Sequence, residues 1–281
     1  MPSSNDIAAR PFLKWAGGKQ RLLAQYADHF PPLTHIAHYY EPFIGSAAVF
    51  FHYQPHPATL SDCNGKLIDV YRALQTDVEA VIAALQPHHN DADYYYAIRA
   101  QNPADLSPAE QAARLIYLNK TCYNGLYREN SQGEFNVPFG RYKNPKICDV
   151  VRLQAAAAAL RNVDLRVGDF AEVVATAVAG DFIYFDPPYA PLSPTSSFTS
   201  YHKQGFDEAD QRRLAATIDD LTARGCHVML SNSSAQLIYE LYNHAPYRLL
   251  EVQARRNINS KANGRGPVTE LLILNYDPRE I

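Results

Sequence analysis

The chain has 281 residues, 47% hydrophobic and 20% charged, an ordinary globular balance that excludes a fibrous protein and extended disorder. That length accommodates a catalytic core and one accessory lobe. Lys and Arg total 26 against 29 for Asp and Glu, a formal charge of -3, so a histone-like polycation is excluded and any nucleic-acid surface must be a local patch.

The first strand-like run is HYYEPF at 38–43, with a helical stretch at 44–53 behind it, and the second is ATLSD at 58–62. Helices are then predicted over Val70–Leu85, Asp93–Ala100 and Pro108–Asn119, followed by a Gly/Asn/Tyr-rich segment to Pro145 with no obvious buried strand. A helix over Asp149–Arg161 leads into strands VDLRV at 163–167 and DFIYFD at 181–186. The tract APLSPTSSFTSY at 190–201 reads as a mobile flap. A helix over Glu208–Arg224 precedes strand HVMLSN at 227–232, and TELLILNY at 269–276 is the last strand.

Strands alternating with helices predict an α/β fold with a doubly wound, mainly parallel sheet. The region 70–149 interrupts that rhythm, so the core is expected over 1–69 and 150–281 with a helical insert at 70–149.

Asp186-Pro187-Pro188-Tyr189 directly follows the apolar strand FIYF. In open α/β sheets, ligands bind outside the carboxyl ends of strands. Asp186 offers a carboxylate, while the prolines offer carbonyls without N–H groups and fix φ. The result is a rigid rim of acceptors beside an aromatic ring. An exocyclic amine on a base suits it: two acceptors each take one N–H, freeing the nitrogen lone pair, and Tyr189 stacks on the heterocycle. No nucleophilic cysteine is required, so the electrophile must be strong by itself, as a sulfonium methyl donor is.

Glu41-Pro42-Phe43-Ile44-Gly45-Ser46-Ala47 ends the first strand and opens a helix, where Gly45 allows close backbone approach to a ligand. Asp62 closes the second strand 17 residues after Gly45, a spacing suited to accepting from a ribose diol. Asp169, after the third strand, could accept from an adenine amine while Phe170 packs on the ring; taken alone, each carboxylate could instead be a helix cap. The N-terminal Phe12–Lys19 string is not a Walker loop, because position 13 is Leu and Lys19 precedes Gln20. Trp15 is either a core anchor or a wall of a cofactor pocket.

These strings resemble the Dam-type DNA adenine-N6 methyltransferases. The matching segments are Phe12–Lys19, Glu41–Phe51, Leu60–Asp69, Asn119–Pro145, Gly168–Phe170, Asp186–Tyr189 and TELLILNY, in the family's order across nearly the whole chain. The resemblance implies a Rossmann-like methyltransferase core with a target-recognition insert, S-adenosylmethionine as cofactor and duplex DNA as partner. It places donor contacts at Trp15, Lys19, Asp62 and Asp186, with Phe43, Gly45, Asp169 and Phe170 completing the pocket. Ala47 is a departure, since the family's turn often carries a second glycine there.

For DNA, the 119–152 segment carries Lys120, Arg128, Arg141, Lys143, Lys146 and Arg152, interleaved with Tyr123, Tyr127 and Tyr142. The resemblance turns Lys14 toward DNA and assigns base reading to Tyr123, Asn124, Leu126, Arg128, Pro138 and Tyr142. Arg128 would hold a guanine bidentately, and Tyr123 would fill the space left by a flipped adenine within GATC. A second basic stretch, Arg255-Arg256 with Lys261 and Arg265, is either a DNA-facing loop or a solvated face.

Asp-Pro-Pro-Tyr recognises an amine without naming the base. A cytosine-N4 or RNA adenine methyltransferase therefore stays open, as does a DNA-binding module with a relic pocket. His88-His89 has no partner at metal spacing, and Cys63, Cys122, Cys148 and Cys226 form no C-x-x-C pair, so no metal is expected. The cysteine pattern suits a reducing compartment, no stretch reaches the roughly 20 apolar residues of a membrane span, and MPSSNDIAAR has no apolar signal core. The expectation is a cytoplasmic, bacterial or phage-encoded monomer.

Overall fold

The computed structural model describes residues 8–192, 206–255 and 267–281. Most of the predicted flap at 190–201 and the basic stretch at 256–266 lie outside the described residues.

Seven strands are present among the described residues: β1 (Tyr39–Glu41), β2 (Ala58–Asp62), β3 (Asp164–Val167), β4 (Phe182–Phe185), β5 (His227–Ser233), β6 (Arg248–Arg255) and β7 (Pro267–Leu274). The α-helices are α1 (Leu23–Tyr26), α2 (Ala48–Tyr53), α3 (Gly65–Leu85), α4 (Ala92–Ala100), α5 (Pro108–Thr121), α6 (Val150–Ala159), α7 (Phe170–Val173), α8 (Glu208–Ala223) and α9 (Gln236–Tyr242). The chain folds as two compact units, one of Met1–Lys19, Gly45–Gln54 and Asn64–Val167, the other of Gln20–Ile44, Pro55–Cys63 and Gly168–Ile281.

The second unit holds six strands in the order β2-β1-β4-β5-β7-β6. The pairs β1/β2, β1/β4 and β4/β5 are parallel, with Tyr39 beside Phe182 and Phe182 beside His227. β7 runs antiparallel to both β5 and β6. All four residues of FIYF are buried, as expected of a central parallel strand covered on both faces.

Alternation splits β4 between two faces. Ile183 and Phe185 join Leu214, Ile218 and Leu221 of α8, Ile238 of α9 and Val173 of α7 in one hydrophobic core. On the other face, Phe182 meets Phe30 edge-on at 4.9 Å and Tyr184 meets Tyr26 of α1 at 6.3 Å. This is the mainly parallel, doubly wound α/β architecture that the alternation of strands and helices predicts.

The strand order reverses between β1 and β4, the kind of switch point beyond whose carboxyl ends open α/β sheets bind ligands. Both the Glu41–Ile44 turn and the Asp186–Tyr189 turn start there. β6 was legible only as an unspecified strand-like region, because its charged positions (Arg248, Glu251 and Arg255) belong to an edge strand and blur the apolar signal.

In the first unit, α3 starts at Gly65, earlier than the predicted Val70, because Asn64 caps it by accepting from the Leu67 N–H. Its ladder breaks at Asp77 (φ -154°), whose carboxylate accepts from the Ala80 N–H and starts the helix again. α5 opens with a reciprocal Ser107–Glu110 capping box and Pro108 in the first turn. Its buried face, including Ala112, Leu115, Ile116 and Leu118, packs on α3. The segment after α5 forms no strand; its sheet-like contacts are the isolated bridges Cys122–Phe139 and Glu129–Phe135.

Among the described residues, no helix is long and apolar enough to cross a membrane, and no group of three or more His, Cys, Asp or Glu is arranged to hold a metal ion.

Candidate active site

The turn after β4 is held by side chains because its two prolines have no amide hydrogens of their own. Asp186 is half-buried and Pro187 is buried. The Pro188 carbonyl accepts from Gln211 Nε2 of α8 at 2.9 Å. Gln211 Oε1 in turn accepts from Asn232 Nδ2 of β5 at 3.0 Å. Asn232 Oδ1 accepts from the Ala190 and Ser233 amides at 3.1 and 2.8 Å, and Ser233 Oγ donates to the Ala190 carbonyl at 2.6 Å. Tyr189 donates its hydroxyl to Glu270 Oε2 of β7 at 2.7 Å.

The hydroxyls of Tyr26 and Tyr184 each lie 2.8 Å from Ser231 Oγ. Burial, and next the negative charge of Asp186, push the phenols of Tyr26, Tyr184 and Tyr189 far up. All three stay protonated at any working pH. These three phenols are therefore neutral hydroxyls.

The same unit carries the Phe43, Asp62, Asp169 and Phe170 expectations. Ile44 N–H donates to the Ser61 carbonyl at 2.9 Å, and Gly168 N–H donates to the Asp62 carbonyl at 3.3 Å. Phe43 stacks on Phe170 with centroids 5.5 Å apart. Arg213 lies over the Phe170 ring, its guanidinium carbon 4.1 Å from the ring centroid. Arg213 also grips Asp169 with two bonds of 2.6 and 2.8 Å. That bond is the leading cause holding the Asp169 carboxyl below its usual range. Asp169 also caps α7 by accepting from the Ala171 N–H at 3.0 Å.

Trp15, Lys19 and Gly45 belong to the first unit. Gly45 has φ +45°, and a Cβ added there would lie 2.9 Å from Trp15 Cδ1, so backbone and indole approach as closely as glycine permits. Trp15 stacks on Tyr127 at 5.2 Å. Lys19 is buried and donates to the Gly17 carbonyl at 2.6 Å.

The residues expected to read DNA fall in neighbouring groups of this unit. Lys14 Nζ lies 4.0 Å over the Tyr142 ring. Tyr123 is 52% exposed, and its N–H donates to the carbonyl of exposed Pro138 at 2.8 Å. Asn124 is exposed with φ +55°, and Leu126 is half-buried behind it. Arg128 runs along Asn136, donating to its side-chain and main-chain oxygens at 2.6 and 3.2 Å. A cavity of about 380 Å³ is lined by Lys14, Lys120, Tyr142, Lys143 and Lys146.

Buried Asn119 was overlooked as more than the start of a similar segment. It accepts from the Lys14 N–H and donates to the Lys14 and Gly125 carbonyls, which ties the segment around Lys14 to the 123–127 turn. Gln211, Asn232 and Glu270 were also passed over. A polar Ser-Asn pair inside the apolar run of β5 was the one signal that could have pointed to them.

The family model for the D12 class N6 adenine-specific DNA methyltransferases matches residues 15–258. The chain is 42% identical to the type II methyltransferase M1.LlaDCHI of Lactococcus lactis subsp. cremoris over 97% of each protein. It is also 42% identical to M.MjaIII of Methanocaldococcus jannaschii, over 96% of this chain and all of that one. Identity to the DNA adenine methylase of Escherichia coli K12 is 38% over 96% of each. With a match spanning most of the sequence and relatives aligned from end to end, the chain belongs to the D12 class of N6 adenine-specific DNA methyltransferases.

Proposed function

We propose that the chain transfers a methyl group from S-adenosylmethionine to N6 of an adenine swung out of duplex DNA, within GATC. The supporting observation is the acceptor rim that follows β4. The Gln211 amide takes up one lone pair of the Pro188 carbonyl, and we assign the first N–H of the target amine to Asp186 and the second to the carbonyl of Pro187. Bound S-adenosylmethionine supplies a methyl group on a sulfonium sulfur. Asp186 and Pro187 draw the amine toward a pyramidal geometry that exposes its lone pair, and the Asp186 carboxylate stabilises the positive charge that develops on nitrogen. Tyr189 stacks on the extruded base.

The residues available fit the donor. Asp62 presents a half-buried carboxylate at the end of β2, Phe43 is a half-buried aromatic ring after β1, and the lack of a Cβ at Gly45 brings its backbone close to the Trp15 indole. Trp15, Lys19, Asp169, Phe170 and Asp186 complete the proposed donor set. Target recognition is proposed for 70–149 on a core of 1–69 and 150–281, with Lys14, Tyr123, Asn124, Leu126, Arg128, Pro138 and Tyr142 facing DNA. The GATC preference rests on the relationship to the DNA adenine methylases.

The test is to expose a random-sequence duplex library to the protein with labelled donor, map the modified positions and identify the nucleoside by mass. N6-methyladenine confined to GATC is expected, with loss of turnover in Asp186→Ala. Label on cytosine, a different site, or an Asp186→Ala variant that turns over normally would overturn the corresponding part.

A further inference from the structure

The Asp-Pro-Pro-Tyr turn has an unusual mechanical problem. Two successive prolines leave positions 187 and 188 without donors, so no hydrogen bond from their own amides can fix the peptide planes. The turn can be held there only through its carbonyls, which need a donor from elsewhere. Gln211 is that donor for Pro188.

The chain of bonds behind Gln211 can run in one direction only. A proline carbonyl accepts and never donates, so Gln211 must point its NH2 group at Pro188 and its oxygen at Asn232. Asn232 must then give its NH2 to Gln211, which leaves its oxygen for the two backbone amides of Ala190 and Ser233. The backbone partners at both ends thus fix both side-chain amides without ambiguity. Gln211 is 1% exposed and Asn232 is fully buried. In such surroundings a broken link strands a polar group at a real energetic cost, so the array resists rotation of the Pro188 peptide.

We propose that Gln211, oriented by Asn232, is a positioning residue: it locks the Pro188 peptide plane and thereby aims Asp186 and the Pro187 carbonyl at the target amine. Gln211 touches neither base nor donor in this scheme. It acts through the turn. The inference rests on the amine-acceptor reading of Asp186 given above.

Misplacing a reacting group by about an ångström can cost roughly 100-fold in rate. Gln211→Met keeps the shape and removes both polar ends. It is expected to slow single-turnover methyl transfer at saturating donor and DNA by roughly tenfold or more, with both dissociation constants little changed. Gln211→Glu supplies an independent readout. Its protonated carboxyl can still donate to Pro188 and accept from Asn232, while the ionised form cannot donate at all. Its rate relative to the wild type should therefore fall as pH rises, and this profile decides the matter should the Met variant fail to fold.

A folded Gln211→Met variant that transfers at the wild-type rate would overturn the assignment, as would a Gln211→Glu profile that tracks the wild type across a pH range in which spectroscopy shows its carboxyl ionising. Asp186→Ala is run beside them. If it is inactive while Gln211 variants are normal, only the positioning role fails; if it too is normal, the amine-acceptor reading fails first.

Discussion

Tyr189 donates its hydroxyl to Glu270 at 2.7 Å across 81 residues of sequence, which tethers the last ring of the β4 turn to strand β7. Burial, Asp186 and Glu270 together hold the phenol far above its ordinary range, so it stays a donor throughout the working pH range. Tyr189→Phe keeps the stacking face and loses only the tether. Its loss in kcat/KM should be smaller than that of Tyr189→Ala, which would also give up the proposed base stack, worth about 1–3 kcal/mol. The pH–rate profiles of wild type and Tyr189→Phe should run parallel through the alkaline range. A new alkaline limb in the wild type alone would mean that the phenol ionises and that the Glu270 contact is not maintained in solution.

The turn that opens α2 carries two residues with left-handed backbone and opposite prospects. Ala47 sits at φ 53°, ψ 37° and is fully buried, which explains physically why a second glycine suits this position. Left-handed backbone costs a residue with a Cβ about 1–2 kcal/mol, against about 0.4–1 kcal/mol of extra unfolded-state entropy that glycine brings. Ala47→Gly should raise stability by up to about 1 kcal/mol. Gly45→Ala should do the reverse, because its new Cβ would stand 2.9 Å from Trp15 Cδ1 at φ +45°. A loss of about 1–3 kcal/mol and weaker donor binding through a displaced Trp15 are expected. Denaturant unfolding and donor titration of the two variants check both signs, and equal effects would refute the contrast.

Sequence made the fold and the position of the Asp-Pro-Pro-Tyr turn after a buried strand legible because both are local signals. FIYF is an apolar run followed at once by two prolines, and ATLSD and VDLRV are bounded by turns, so period and punctuation suffice. The restraints on the site are not local. Gln211 lies 23 residues from Pro188, Asn232 lies 21 from Gln211, and Arg213 lies 44 from Asp169. Nothing in the Gly-Asp-Phe string announces that a helix-α8 arginine will pair with Asp169 and lie on the Phe170 ring. Similarly, the helix predicted from Val70 starts at Gly65, where the Asn64 cap makes it the first residue of α3. Packing decides such matters, and spacing along the chain does not record it.

Lys120 gives a pH dependence whose sign can be worked out. It lines the cavity with Lys14, Lys143 and Lys146. Burial first, then the positive charges of Arg152, Lys14 and Lys146, bring its ammonium down to about 8 against partial relief from Asp149. Because the folded value lies below the unfolded one, the folded chain gives up this proton first as pH rises. Between about pH 8 and the ordinary lysine range near 10.4 the unfolded chain binds more protons, so this group's contribution to stability rises with pH. DNA binding has the opposite sign. A phosphate entering the cavity would pair with the ammonium and hold its proton, so affinity at fixed salt should fall as pH rises through about 8, with proton uptake on binding. Lys120→Arg, charged throughout, should flatten that fall, and Lys120→Met should gain thermal stability at neutral pH while losing the slope. The measurement is DNA affinity from neutral to mildly alkaline pH, with calorimetry in buffers of different ionisation enthalpy. Equal slopes in wild type and Lys120→Met would show that the titrating group lies elsewhere.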